Sequence, residues 1–152
     1  MNQALYHHFQ KNVLNDIIAI YNESGIKVAA YEYDAWGNHT ITLDTNSIGS
    51  LNPFRYRGYY YDEETGLFWL SSRYYSPELC RFISPDSVDY LDPSSINGLN
   101  LYCYCMNNPI MYADPSGHSA ILFIVGLISS AVIGGLVSGG IAAIYTTISG
   151  GI

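Results

Sequence analysis

Asn52-Pro53-Phe54-Arg55-Tyr56-Arg57-Gly58-Tyr59-Tyr60-Tyr61-Asp62-Glu63-Glu64-Thr65-Gly66-Leu67-Phe68-Trp69-Leu70-Ser71-Ser72-Arg73-Tyr74-Tyr75 is the stretch on which the fold turns. Two aromatic-rich runs flank a polar segment ending in glycine. Aromatic side chains suit a pleated, half-buried surface. Glycine at the end of a tight turn supplies positive φ without steric cost. The pattern predicts a strand over residues 55–61, a turn over 62–66 and a return strand over 67–75.

Working back toward the N-terminus, the same logic recurs. Residues 17–21 are apolar and β-prone, and Asn22-Glu23-Ser24-Gly25 is a turn. Residues 28–34 read as a return strand with Tyr31 and Tyr33 on one face. Asp34-Ala35-Trp36-Gly37-Asn38 turns the chain again, and residues 40–43 make a further strand. Tyr21-Asn22-Glu23-Ser24-Gly25 resembles Tyr61-Asp62-Glu63-Glu64-Thr65-Gly66, a repeat of hairpins. A lone hairpin is marginal in water, so such a strip needs neighbours.

Toward the C-terminus, Pro77, Pro85, Pro93, Pro109 and Pro115 punctuate the chain and exclude long regular elements. The strand expected there covers residues 97–104, with Leu99, Leu101 and Cys103 alternating against Asn100, Tyr102 and Tyr104. Asn107-Asn108-Pro109 is a turn. From Ser119 to Ile152 there is no charged residue. That length exceeds the roughly 20 residues a membrane-spanning helix needs. Ala131, Gly135 and Gly139 recur at the small-residue spacing that lets helices approach closely. The segment is expected to form an apolar helix or, broken at its Gly-Gly pairs, a helical hairpin, placed in a membrane or buried in a larger protein.

The fold class expected is therefore mainly β. Three zones follow: a leader and hairpin over 1–51, a Tyr-rich and Pro-punctuated core over 52–118, and the apolar tail over 119–152. Tyrosine occurs 15 times, more than Lys and Arg together. A net charge of -7 argues against a nucleic-acid partner, because phosphate contacts need clustered Lys and Arg. No basic n-region followed by an apolar stretch opens the chain, so no signal peptide is expected. Cys80, Cys103 and Cys105 are an odd set. Cys103 and Cys105 would share a strand face, but their spacing is too tight for paired zinc ligands. They read as small buried apolar groups, and no metal or cofactor is expected.

Several phrases stand in a telling order. Tyr33-Asp34-Ala35-Trp36-Gly37-Asn38 resembles the tyrosine–aspartate unit of YD repeats. Asn52 to Asp62, Thr65-Gly66-Leu67, Arg73-Tyr74-Tyr75-Ser76-Pro77, Arg81-Phe82-Ile83-Ser84-Pro85-Asp86, Asn100-Leu101-Tyr102-Cys103-Tyr104, Asn107-Asn108-Pro109 and Asp114-Pro115-Ser116-Gly117 follow. In that series, residues 52–118 resemble the repeat-associated core module of the Rhs/YD-repeat proteins. The resemblance implies a spiral β-sheet wound into a hollow shell around a variable, often toxic, C-terminal polypeptide, with the core module plugging one end. It implies an aspartyl-type protease acting only on its own chain. The partners implied are the rest of a shell, on the same or a neighbouring chain, and an immunity protein. The location implied is secreted or at the cell surface through a larger system, with membrane contact through 119–152.

An aspartyl protease needs two carboxyl groups sharing one site, one to activate water and one to supply a proton. By motif, the resemblance places that pair on Asp86 and Asp114. A guanidinium beside them, on Arg73, would orient a carboxylate. The implied cleavage site is the His118–Ser119 bond. Each residue also has an ordinary reading: Asp86 and Asp114 as turn-forming Asp, Arg73 as an ion-pair partner and His118 as a solvated side chain. The chain departs from the family pattern in three places. Residues 89–95 lengthen the segment between the two Asp residues. His118 stands where many members have an apolar residue. Only 34 residues follow it, too few for a folded enzymatic toxin. A non-catalytic surface or membrane-anchored interaction module, and a degenerate orphan tip, are the competing readings.

Overall fold

The computed structural model describes residues 7–94, 97–118 and 120–122. They form two four-stranded antiparallel sheets and a short two-stranded ribbon. The first sheet runs in sequence order through β1 (His7–Lys11), β2 (Ile17–Asn22), β3 (Lys27–Tyr33) and β4 (His39–Asp44). The second is β5 (Tyr60–Asp62), β6 (Leu67–Leu70), β7 (Arg73–Ser76) and β8 (Arg81–Phe82), again in order. The ribbon pairs β9 (Tyr112–Ala113) with β10 (Ile121–Leu122). Among the described residues a single short α-helix, α1 (Ile48–Leu51), follows the first sheet in the chain.

The two hairpin turns match. Asn22 Oδ1 accepts the amides of Ser24 and Ile26 at 3.0 and 2.9 Å. Asp62 Oδ1 accepts the Glu64 amide at 3.1 Å, and Thr65 Oγ1 donates to Asp62 Oδ2 at 2.8 Å. Gly25 and Gly66 close the turns at φ of 73° and 71°. An Asx side chain opens each turn and a left-handed glycine ends it, so the sequence repeat is a structural one.

Each sheet covers its own core. Ile17, Ile20, Val28, Ala29 and Tyr31 pack under the first. The register slips between Ile20 and Tyr21, leaving Val28 as the extra residue of a bulge. That is why Val28 and Ala29, neighbours in sequence, are both buried. Tyr56, Phe68, Leu70, Tyr75, Phe82, Tyr104 and Cys105 pack under the second sheet. Tyr33 touches both cores and donates its hydroxyl to the Ile17 carbonyl at 2.7 Å. The Asp34–Asn38 turn docks on the second unit, where Tyr56 and Tyr75 donate to the carbonyls of Ala35 and Trp36 at 2.9 and 2.7 Å.

Three expected strands differ. Residues 55–61 do not extend: residues 56–58 form a 3-10 turn with Arg57 at φ 54°, and the strand begins at Tyr60. The cause is long-range, since the Arg57 amide donates to Asp16 Oδ1 at 2.8 Å and the Arg55 and Arg57 side chains are buried. Residues 67–75 form two strands, with Ser71 turning the chain at φ 60°. Residues 97–104 are successive turns, touching the second sheet at one bridge between Arg81 and Cys103. Those turns deliver Tyr104 into the core, with its ring 4.1 Å from that of Tyr75. Cys105 consequently lies at φ 49° in a 3-10 turn rather than beside Cys103 on a strand face. It is buried, which pushes its thiol up to about 12; Cys80 and Cys103 are only half-buried.

Of the apolar segment from Ser119 onward, only residues 120–122 are described, and Ile121–Leu122 form β10. The expected helix or helical hairpin otherwise falls on residues 123–152, which lie outside the described residues. Among the described residues no helix is long and apolar enough to cross a membrane.

Candidate functional site

Arg73 opens β7, immediately after the turn made by Ser71 and Ser72. Its side chain is buried at 5% exposure. The guanidinium stacks on the Phe82 ring, 3.7 Å from its centroid. Nη1 donates to the Leu101 carbonyl at 2.9 Å, and Nε donates to the Gly117 carbonyl. Nη2 lies 2.8 Å from Asp86 Oδ2 and 4.0 Å from Asp114 Oδ2. Burial pulls this guanidinium below its ordinary value, and Asp86 and then Asp114 pull it back. A buried arginine stays charged because each donor edge meets an acceptor.

Asp86 follows β8, and its amide donates to the Leu101 carbonyl at 2.9 Å. Its Oδ1 accepts the Ser87 amide at 2.8 Å and also faces His118 Nδ1 at 2.7 Å. Asp114 follows β9. Its Oδ1 accepts the Gly117 amide at 2.8 Å, the His118 amide at 3.1 Å and the Ser116 hydroxyl at 3.1 Å. Both carboxylates are nearly excluded from solvent, at 6% and 3%. Two buried carboxylates on one guanidinium nitrogen are costly to assemble without a compensating charge.

The loop after β9 carries Asp114, Gly117 and His118, the residue that precedes the implied cleavage bond. It is locked onto the turn before Arg73. Ser71 and Ser72 donate to the carbonyls of Pro115 and Ser116 at 3.2 and 2.8 Å. Gly117 sits at φ 76°, and a Cβ there would fall 2.4 Å from the Leu70 carbonyl oxygen and from Ser72 Oγ. Only glycine fits. Asp86, Asp114 and His118 line one side of an open cleft of about 280 Å³ that also touches Tyr90, Leu101 and Ala120.

The structure thus brings together four of the five residues the sequence singles out: Arg73, Asp86, Asp114 and His118. Ser119 lies outside the described residues. The sequence reading missed Ser71, Ser72 and Tyr90. A Ser-Ser pair between two β-prone runs is a turn signal that could have found the first two. Nothing local marks Tyr90, whose ring stacks on His118 with centroids 5.0 Å apart and planes 6° apart.

Comparison with known proteins decides the family. The profile of the teneurin YD-shell matches residues 2–110. The chain belongs to the Rhs/YD-repeat family. The tRNA nuclease WapA of Bacillus subtilis is 46% identical to this Rhs/YD-repeat chain over 113 residues, covering 74% of this chain and 5% of WapA. Toxin protein Tse5 of Pseudomonas aeruginosa is 38% identical over 74 residues, covering 49% of this chain and 5% of Tse5. The crystal structure of TcdB2-TccC3 without its hypervariable C-terminal region superimposes with a TM-score of 0.64 at 28% identity, over 77% of this chain and 5% of that one. The chain therefore spans about one-twentieth of each of these relatives. It is an Rhs/YD shell-type module related to polymorphic toxins and to the Tc toxin shell.

Proposed function

We propose that this chain is the core module that plugs one end of an Rhs/YD shell, and that it cuts its own backbone between His118 and Ser119. One observation carries the reading. A single buried guanidinium, Arg73, is shared by Asp86 and Asp114, and Asp114 also holds the amides of Gly117 and His118. Asp114 is therefore built into the loop that precedes the bond to be cut, and Arg73 joins Asp86 to it. In this reading one carboxylate draws a proton from water, which adds to the His118 carbonyl carbon. The other carboxyl protonates the leaving nitrogen of Ser119, and the C–N bond breaks to a new carboxylate and a new amine. Arg73 orients the carboxylates, and the Leu101 and Gly117 carbonyls fix the guanidinium in turn.

In the same reading residues 1–51 are the last strip of the shell wall, 52–118 the plug and 119–152 the released or anchored segment. The partner is the rest of a shell, with export through that larger system; an immunity protein answers to whatever the shell encloses. Expressing the full chain beside Asp86→Asn and Asp114→Asn tests the reading. Two products are expected from the wild type and one full-length band from each variant. An intact wild-type chain rules it out. The competing reading, a purely structural cluster, is favoured by the three hydrogen bonds on Asp114 Oδ1. It predicts that both Asn variants lose stability with no change in chain length.

A further inference from the structure

His118 is gripped twice. Its amide is held by Asp114 Oδ1 at 3.1 Å, and its ring nitrogen Nδ1 meets Asp86 Oδ1 at 2.7 Å. A carboxylate only accepts, so Nδ1–H is the donor. The ring lies flat on Tyr90, which the 3-10 turn after Asp86 carries over it. That turn is tied to the same carboxylate, since Asp86 Oδ1 also accepts the Ser87 amide at 2.8 Å. A solvated imidazole would show neither of the two ring contacts.

We propose that His118 is a positioning residue for cleavage, its side chain clamped between Asp86 and Tyr90 so that the carbonyl it carries is presented to the carboxyl pair. This rests on the self-cleavage reading above. Asp86 holds the side chain and Asp114 the main-chain amide of His118, so the two carboxylates are registered against the residue whose carbonyl is to be attacked. Displacement of a reacting group by about 1 Å is enough to cost on the order of 100-fold in rate. Specificity at this position follows as well: the pocket selects a flat side chain with a donor at the position of Nδ1, rather than an aliphatic one.

Cell-free synthesis of the full chain, sampled over time by intact mass spectrometry, tests this. His118→Ala is expected to slow cleavage at least about tenfold. His118→Asn, whose amide nitrogen reaches the place of Nδ1, should cut faster than His118→Gln, which places its nitrogen where Nε2 lies. Tyr90→Ala, which removes the ring that the imidazole lies on, should cut more slowly than the wild type. Thermal midpoints of the His118 variants, taken in the uncut Asp114→Asn background, should stay together, which separates positioning from folding. His118→Ala cutting at the wild-type rate while Asp114→Asn stays intact overturns the clamp alone. Equal rates for the Ala, Asn and Gln variants also overturn it. A wild-type chain that never cuts overturns both the clamp and the reading beneath it.

Discussion

The two sheets share a turn design and differ in what they bury. The core under the first is made of Ile17, Ile20, Val28, Ala29 and Tyr31, and its polar needs are met by tyrosine hydroxyls reaching backbone carbonyls. The second unit also has an aromatic core, yet around it Arg55, Arg57, Arg73 and Asp114 are buried as well. A buried charge is expensive and is tolerated only where partners converge on it. Arg73 and Asp114 meet Asp86 at the cleft, whereas Arg55 lies at the seam against His39 and Arg57 holds Asp16 through its amide. The first sheet is a structural strip, and the second is a scaffold holding a charged constellation in place.

Substitutions can break this contrast. The largest effect is expected from Gly117→Ala. It places a Cβ against the Leu70 carbonyl at a left-handed φ, so a loss of about 3–5 kcal/mol in urea unfolding is expected, together with loss of cleavage. Arg73→Met comes next: it leaves two buried carboxylates without their cation and should cost about 3–5 kcal/mol. Ile20→Ala should cost a similar or smaller amount, about 2–4 kcal/mol. That loss should fall on the first sheet, and cleavage should persist in conditions where the second unit stays folded. Equal loss of cleavage in the Ile20 variant at temperatures well below its melting point would join the two regions into one.

Smaller effects sharpen the same contrast. Tyr33→Phe removes the hydrogen bond to the Ile17 carbonyl at the seam, an expected loss of about 1 kcal/mol in thermal or urea unfolding. His39 lies at the same seam, against Arg55 and beside the Tyr61 ring. Burial, and then Arg55, pull its titration below the ordinary 6.5, while Glu63 opposes them. The unfolded chain therefore binds this proton more readily than the folded one. Stability should fall as pH drops below about 6.5, until the folded ring itself titrates. His39→Gln should flatten that part of the stability curve, measured by urea titration from pH 7 downward.

Much of this was legible in the sequence, and the reasons are local. Asn22 to Gly25 and Asp62 to Gly66 are turns whose chemistry lies within five residues, so both hairpins could be read directly. The period-two pattern of residues 28–34 likewise gave Tyr31 and Tyr33 on one face. The failures have distant causes. Arg57 turns because Asp16, far back in the chain, accepts its amide. The alternation of residues 97–104 looked like a strand, but the chain there bends to bring Tyr104 to Tyr75 and the Leu101 carbonyl to Arg73. At the site, the resemblance carried Arg73, Asp86 and Asp114, and the structure gathers them. The clamp on His118 was invisible, because Tyr90 is distant in sequence and stacking leaves no local pattern.

The most direct measurement is to let the full chain fold and mature in water enriched in heavy oxygen, and to weigh its products. Hydrolysis by the Asp86–Asp114 pair predicts an N-terminal product ending at His118 with one heavy oxygen in its new carboxylate, and a C-terminal product beginning at Ser119. A chain that keeps its full mass, or one cut elsewhere, would contradict it.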